Sequence, residues 1–174
     1  MSRKVYLLVG FLGSGKSTWA KKKVKADKNV LIVNRDSLRT MLLGEYGFSV
    51  PVELAVKDCA KVIFDALLQA GFDVIIDETN LTLHKRRTWL RYIEQYCIRN
   101  NQKIDIQVVH FTESENNVAY RAQDDLRGVS VAKWAEVLDK MKREYESPEI
   151  SEFPEGTVYS VMMMDEERVE ATND

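Results

Sequence analysis

Residues Gly10-Phe11-Leu12-Gly13-Ser14-Gly15-Lys16-Ser17 constrain this chain more than any other stretch, because a glycine-rich turn runs straight into a lysine and a hydroxyl residue. The stretch matches G-x-x-x-x-G-K-[ST] at every fixed position, and a chance match in a chain of 174 residues has odds on the order of 1%. Before it, Val5 to Val9 is an unbroken apolar run of strand formers, as expected of a strand buried on both faces; after it, residues 16 to about 25 read as a helix. A strand, a glycine turn and a helix start let backbone N–H groups point inward around a phosphate, where the positive end of the helix adds to the attraction.

The same rhythm continues. Val30 to Val33 reads as a short buried strand, and Ser37 to Leu43 as a helix ended by Gly44. Residues 53 to 70 put Val56, Ala60, Ile63, Phe64, Leu67 and Leu68 on one helix face and stop at Gly71. Val74 to Ile76 reads as a third strand, His84 to Asn100 as a helix and Ile104 to Phe111 as a fourth strand. Thr112 and Glu115 have capping-box spacing for a further helix. Val131, Trp134, Leu138, Met141 and Tyr145 form a helical stripe, and Thr157 to Met164 is a candidate fifth strand. Strands alternating with helices imply a three-layer α/β fold with a mainly parallel, five-stranded sheet, since each parallel connection needs a crossover helix.

Composition narrows the class. Lys plus Arg against Asp plus Glu is 25 against 27, a net charge of −2, which argues against a sequence-independent coat for a polyanion. Nine basic residues stand against Asp27 alone in residues 1 to 35, and ten acids against Arg143 and Arg168 in residues 143 to 174. We therefore read residues 1–164 as one domain and 165–174 as a solvated acidic tail. The run Lys21-Lys22-Lys23 reads as a solvated helix face. Cys59 and Cys97 stand far apart, and neither clusters with His84 or His110, so no zinc site or disulfide framework is implied. With no apolar stretch long enough for a membrane span, a cytoplasmic protein with reduced thiols is the expectation.

The motif assigns roles. Gly10, Gly13, Ser14, Gly15, Lys16, Ser17 and Thr18 would cradle the phosphates of a nucleotide, with Lys16 reaching the β and γ phosphates and the Ser17 hydroxyl a ligand of Mg²⁺. The chain has no N-K-x-D segment for guanine, and Asp77-Glu78-Thr79-Asn80 replaces an Asp-x-x-Gly switch, which points to ATP. Past the second strand, Asn34-Arg35-Asp36-Ser37-Leu38-Arg39 lies at the sheet edge where ligands collect. Asp36 can take the proton of an acceptor hydroxyl, and Arg39, one turn on, can hold an anion beside it. The competing reading makes Asp36 an N-cap and Arg39 its surface neighbour.

Gly13 to Ala20, Asn34-Arg35-Asp36 with Arg39, Glu78-Thr79-Asn80-Leu81 with Arg86-Arg87, and Arg127-Gly128 followed by Met141 to Tyr145 together resemble the P-loop kinase domain of the phage polynucleotide 5′-hydroxyl kinase family over roughly residues 4 to 146. That resemblance implies a P-loop NTPase fold with a helical lid. It implies catalytic roles for Lys16, Asp36 as general base, and Arg127 over the transferring phosphoryl group, and a grip of Arg39 on an acceptor 3′ phosphate. Thr79, Asn80, Arg86 and Arg87 fall in the substrate-binding set; Arg86 and Arg87 also fit a solvated helix start. The lid-orienting acid maps to Glu78, where the family carries Asp, and Asp77 could take that role instead. Arg121 could replace Arg127 as the phosphate contact, and Asp124 and Asp125 make this lid acidic. The implied partners are ATP, Mg²⁺ and 5′-hydroxyl DNA or RNA, as in nucleic acid repair; a homo-oligomer is neither required nor excluded. The alternatives are a small-molecule (nucleoside, sugar or antibiotic) or protein-directed kinase, and a nucleotide-binding module without transfer. The family's frequent phosphatase partner, marked by Asp-x-Asp-Gly-Thr, has no counterpart in these residues, so kinase activity alone is expected.

Overall fold

A computed structural model describes residues 2–45, 49–114, 116–123 and 128–162. Each apolar run forms its strand: β1 (Arg3–Val9), β2 (Val30–Val33), β3 (Asp73–Ile76), β4 (Ile104–Phe111) and β5 (Val158–Met162). All pairings are parallel, in the order β2-β3-β1-β4-β5. The helices are α1 (Lys16–Ala26), α2 (Arg35–Leu43), α3 (Val50–Gln69), α4 (Leu83–Asn100), α5 (Asn117–Gln123) and α6 (Val131–Glu144). Among the described residues no helix is long and apolar enough to cross a membrane.

Alternation along β1 sends its side chains into two cores. Val5, Leu7 and Val9 pack with Phe64 of α3 and Trp89, Ile93 and Tyr96 of α4, while Tyr6 and Leu8 face Ala20 of α1 and Phe111. A third cluster joins Phe11, Leu12 and Leu81 to Trp134 and Leu138, which seats α6 over the glycine loop. At its C-terminal end, Tyr145 packs its ring 4.9 Å from that of Phe11 and hydrogen-bonds His110 Nε2 at 3.1 Å. Tyr159 meets the other ring nitrogen of His110 at 2.8 Å, so the root of α6 is tied to β4 and β5.

Register places the site. Leu7 and Val33 both pair with Ile76, so the chain leaves β1, β2 and β3 side by side at one sheet edge, delivering the glycine loop, Asn34 and Asp77 together.

Several local expectations are corrected. The α2 helix starts at Arg35 because the Asn34 side chain accepts from Ser37 N; Asn34, not Asp36, is the N-cap. The α3 helix starts three residues early, with a proline in its first turn, where its missing N–H costs nothing. The Thr112 hydroxyl donates to Met162 O and α5 starts only at Asn117, with Ser114 N donating to Asn117 Oδ1 and Asn116 N to Ser114 Oγ before it. Val131 is exposed, so the stripe on α6 starts at Trp134. Glu115, Met163, Met164 and the tail lie outside the described residues.

Candidate active site

The glycine loop has the backbone shape that anion binding needs. Gly13 sits at φ 65°, and a Cβ there would stand 2.0 Å from Asn117 O, so no other residue fits without moving the start of α5. Gly15 caps α1 in the left-handed conformation at φ 84°, aiming the first amides of the helix into the loop. Lys16 is buried within this turn, its ammonium donating to Phe11 O and to Ser14 Oγ at 3.1 Å. Burial lowers its pKa from 10.5 to about 8, against the pull of Asp77 and Asp36. A cation held this way is short of negative charge, which phosphate oxygens would supply.

One cavity of about 480 Å³ joins this loop to the acceptor side. Its walls are residues 12–18 of the loop; Asn34, Arg35, Asp36 and Arg39; Asp77, Glu78 and Thr79; and, from above, Arg121, Val129 and α6. Lys16, Ser17, Thr18, Asp36, Arg39, Thr79 and Arg121 are thus brought together. The Asp36 side chain is 55% exposed, open to an incoming group, and one of its oxygens accepts from Arg39 Nη1 at 2.6 Å. Arg39 also donates to Glu53 of α3, from Nε at 3.0 Å and from Nη2 at 2.7 Å.

Asp77 and Glu78 hold different partners. Asp77 accepts from Asn34 Nδ2 at 3.0 Å; burial raises its pKa, with Ser17 and Lys16 pulling the other way, so it faces the loop. Its carboxylate beside the Ser17 hydroxyl is a pair of hard oxygen donors, which fits Mg²⁺ completed by phosphates. The signal in the sequence is an acid directly after the buried run Val74-Ile75-Ile76. Glu78 pairs with Arg35, and burial pushes its carboxyl up despite that cation. Any pairing of either acid with Arg127 lies outside the described residues, as do Asp124 and Asp125. Arg121 lies over the Trp134 ring, 4.7 Å from its centroid.

Three substrate-binding expectations land away from the cavity. Arg86 is fully buried: Nε and Nη2 grip Glu152 at 2.6 and 2.8 Å, and Nη1 donates to the carbonyls of Asn80, Leu81 and Glu146. It ties the start of α4 to the chain after α6. Asn80, also fully buried and at φ 46°, donates to Leu8 O at 2.8 Å and thereby holds the turn after β3 against β1. Arg87 is exposed on a separate groove with Leu90 and Phe153. Glu53 is the residue that sequence reasoning missed.

The family model described as AAA domain (AAA_33) matches residues 5–148. A bifunctional polynucleotide phosphatase/kinase of Schizosaccharomyces pombe is 28% identical over 113 residues, 65% of this chain and 22% of that protein. A chain of the Pnkp1/Rnl/Hen1 RNA repair complex is 26% identical with a TM-score of 0.64, over 83% of this chain and 47% of that one. The APS kinase CysC of Mycobacterium tuberculosis, in complex with AMPPNP and APS, shares the fold at 18% identity and a TM-score of 0.55, over 99% of this chain and 96% of that one. The chain spans about a fifth of the curated relative and under half of the repair-complex chain.

Proposed function

The chain belongs to this AAA domain family, with a P-loop kinase fold, and from that premise we propose that it is a polynucleotide 5′-hydroxyl kinase, moving the γ-phosphate of ATP to the 5′ hydroxyl of DNA or RNA. The observation that carries the reading is that Asp36 lines the same cavity as the phosphate loop, with an open side chain held by Arg39. The similarity to the polynucleotide phosphatase/kinase supports the acceptor class.

Asp36 takes the proton of the acceptor hydroxyl as its oxygen bonds to the γ-phosphorus; the bond from that phosphorus to the β–γ bridging oxygen breaks, and ADP leaves. Lys16 and the loop amides hold the charge that builds on the phosphoryl oxygens. Arg121 and Arg127 are the candidates for neutralising it. Ser17 and Asp77 would hold Mg²⁺, which when bound would supply further charge neutralisation. Thr79 lines the acceptor wall.

A second reading, a kinase for small neutral alcohols on the same fold, is favoured by one observation: the Arg39 fork already meets Glu53. Incubation with Mg²⁺, γ-labelled ATP and a panel of acceptors separates them. Label on 5′-hydroxyl oligonucleotides is the expected result. Label on plain nucleosides or sugars alone would replace the first reading by the second, and no label anywhere would leave a binding module.

A further inference from the structure

Five side chains on the acceptor wall alternate in sign: Asp36, Arg39, Glu53, Arg35 and Glu78. Glu53 is the hinge of this row. One of its oxygens receives both Nε and Nη2 of Arg39, at 3.0 and 2.7 Å, and the other faces Arg35 Nη1 at 3.8 Å. The Glu53 side chain is only 16% exposed and is not among the residues lining the cavity, whereas both arginines are. It acts from behind the wall. Within this row of described side chains two cations stand against three anions, 2 − 3 = −1, so each arginine is matched by a carboxylate beside it.

Resting on the reading of the site as a 5′-hydroxyl kinase, we propose that Glu53 is a positioning residue that sets acceptor specificity. It turns Arg39 from a phosphate-gripping fork into a holder of Asp36. With Nε and Nη2 on Glu53, the guanidinium plane is fixed, and its remaining nitrogen meets Asp36 at 2.6 Å. The base is thereby aimed, and the arginine that could reward an acceptor 3′ phosphate is neutralised. The site accordingly takes a 5′ hydroxyl with little demand for a phosphate on the neighbouring 3′ oxygen.

The test is steady-state transfer from labelled ATP to matched acceptors, a 5′-hydroxyl dinucleotide or nucleoside with and without a 3′ phosphate, by the wild-type chain, Glu53→Gln and Glu53→Asp. Equilibrium ATP binding is measured in parallel. Wild-type KM values for the two acceptors should lie within about threefold of each other. Glu53→Gln should lose about 10- to 100-fold in kcat through misaimed Asp36, keep its ATP affinity, and favour the 3′-phosphorylated acceptor in KM by about fivefold more than wild type. Glu53→Asp should recover part of kcat and restore the acceptor ratio. Should Glu53→Gln fail to fold, as shown by lost ATP binding, Glu53→Asp carries the test through the part of kcat that it does not recover at unchanged ATP affinity. Unchanged kcat and an unchanged KM ratio, with wild-type transfer intact, overturn the role of Glu53 alone. A wild-type preference of tenfold or more for the 3′-phosphorylated acceptor overturns it too. No transfer by wild type to any nucleotide acceptor overturns the functional reading, and this inference with it.

Discussion

The donor and acceptor halves of the cavity are built by different means. The donor half is mostly backbone: loop amides, glycines in conformations that admit no side chain, and one buried lysine, all within residues 10–18. The acceptor half is side chains from three separate segments, the starts of α2 and α3 and the end of β3, held by alternating charge. Damage to the first should show as lost nucleotide binding, and damage to the second as lost transfer with binding intact.

The largest effect is expected at Gly13. Gly13→Ala drives a Cβ into Asn117 O, a backbone atom, and should leave no measurable ATP binding by calorimetry. Retained affinity would mean that the loop can rebuild itself and that the donor half is not rigid. Next comes Arg86, which separates both halves from the scaffold that supports them. Arg86→Met strips Glu152 of its buried partner and should cost about 3 to 5 kcal/mol in denaturant unfolding. A variant of normal stability with a raised acceptor KM would return Arg86 to the substrate site.

A smaller change is expected for Arg39→Ala, which leaves Glu53 without its principal partner and Asp36 without its holder. The kcat should fall by about 10- to 100-fold, as for Glu53→Gln, with the acceptor KM little changed and ATP affinity kept; equal loss of ATP affinity would merge the two halves. The subtlest test lies in the donor half. Lys16 sits at about 8 in the free protein, and bound phosphates should raise it toward 10.5. Nucleotide binding between those pH values therefore takes up protons, and affinity weakens as pH rises through about 8. Calorimetry in buffers of different ionisation enthalpy reads that uptake directly, and none at pH 8.5 would place the ammonium outside the phosphate site.

The same contrast explains what could be read from the residues alone. The donor half was legible because its constraints are local: the glycines, Lys16 and Ser17 carry their meaning within eight positions, and the strand before them announces itself by its apolar run. The five strands and the parallel sheet between helices follow from the alternation of such runs with helical patterns, whereas the order β2-β3-β1-β4-β5 is set by long-range pairing. The structural contacts of Arg86 and Asn80 were not legible because their partners lie far off in sequence. Glu152 is 66 positions from Arg86, and Leu8 is 72 from Asn80. A basic or amide side chain beside a sheet edge looks the same whether it meets substrate or a distant carbonyl. Glu53 escaped notice for a related reason: it reads as one more acid in the first turn of an amphipathic helix until α3 folds back beside α2. Asp77 shows a middle case, since its place after a buried strand was visible while its partners Asn34 and Ser17 were not.

The most direct test of the account is Asp36→Asn, assayed for single-turnover transfer to a 5′-hydroxyl oligonucleotide alongside equilibrium ATP binding. The amide keeps the shape and the contact to Arg39 but cannot take the proton. The rate should fall by about 10² to 10⁴ while ATP affinity stays at the wild-type value. A rate within twofold of wild type, or a matching loss of ATP affinity, would contradict the assignment of Asp36 as the base and with it the proposed chemistry.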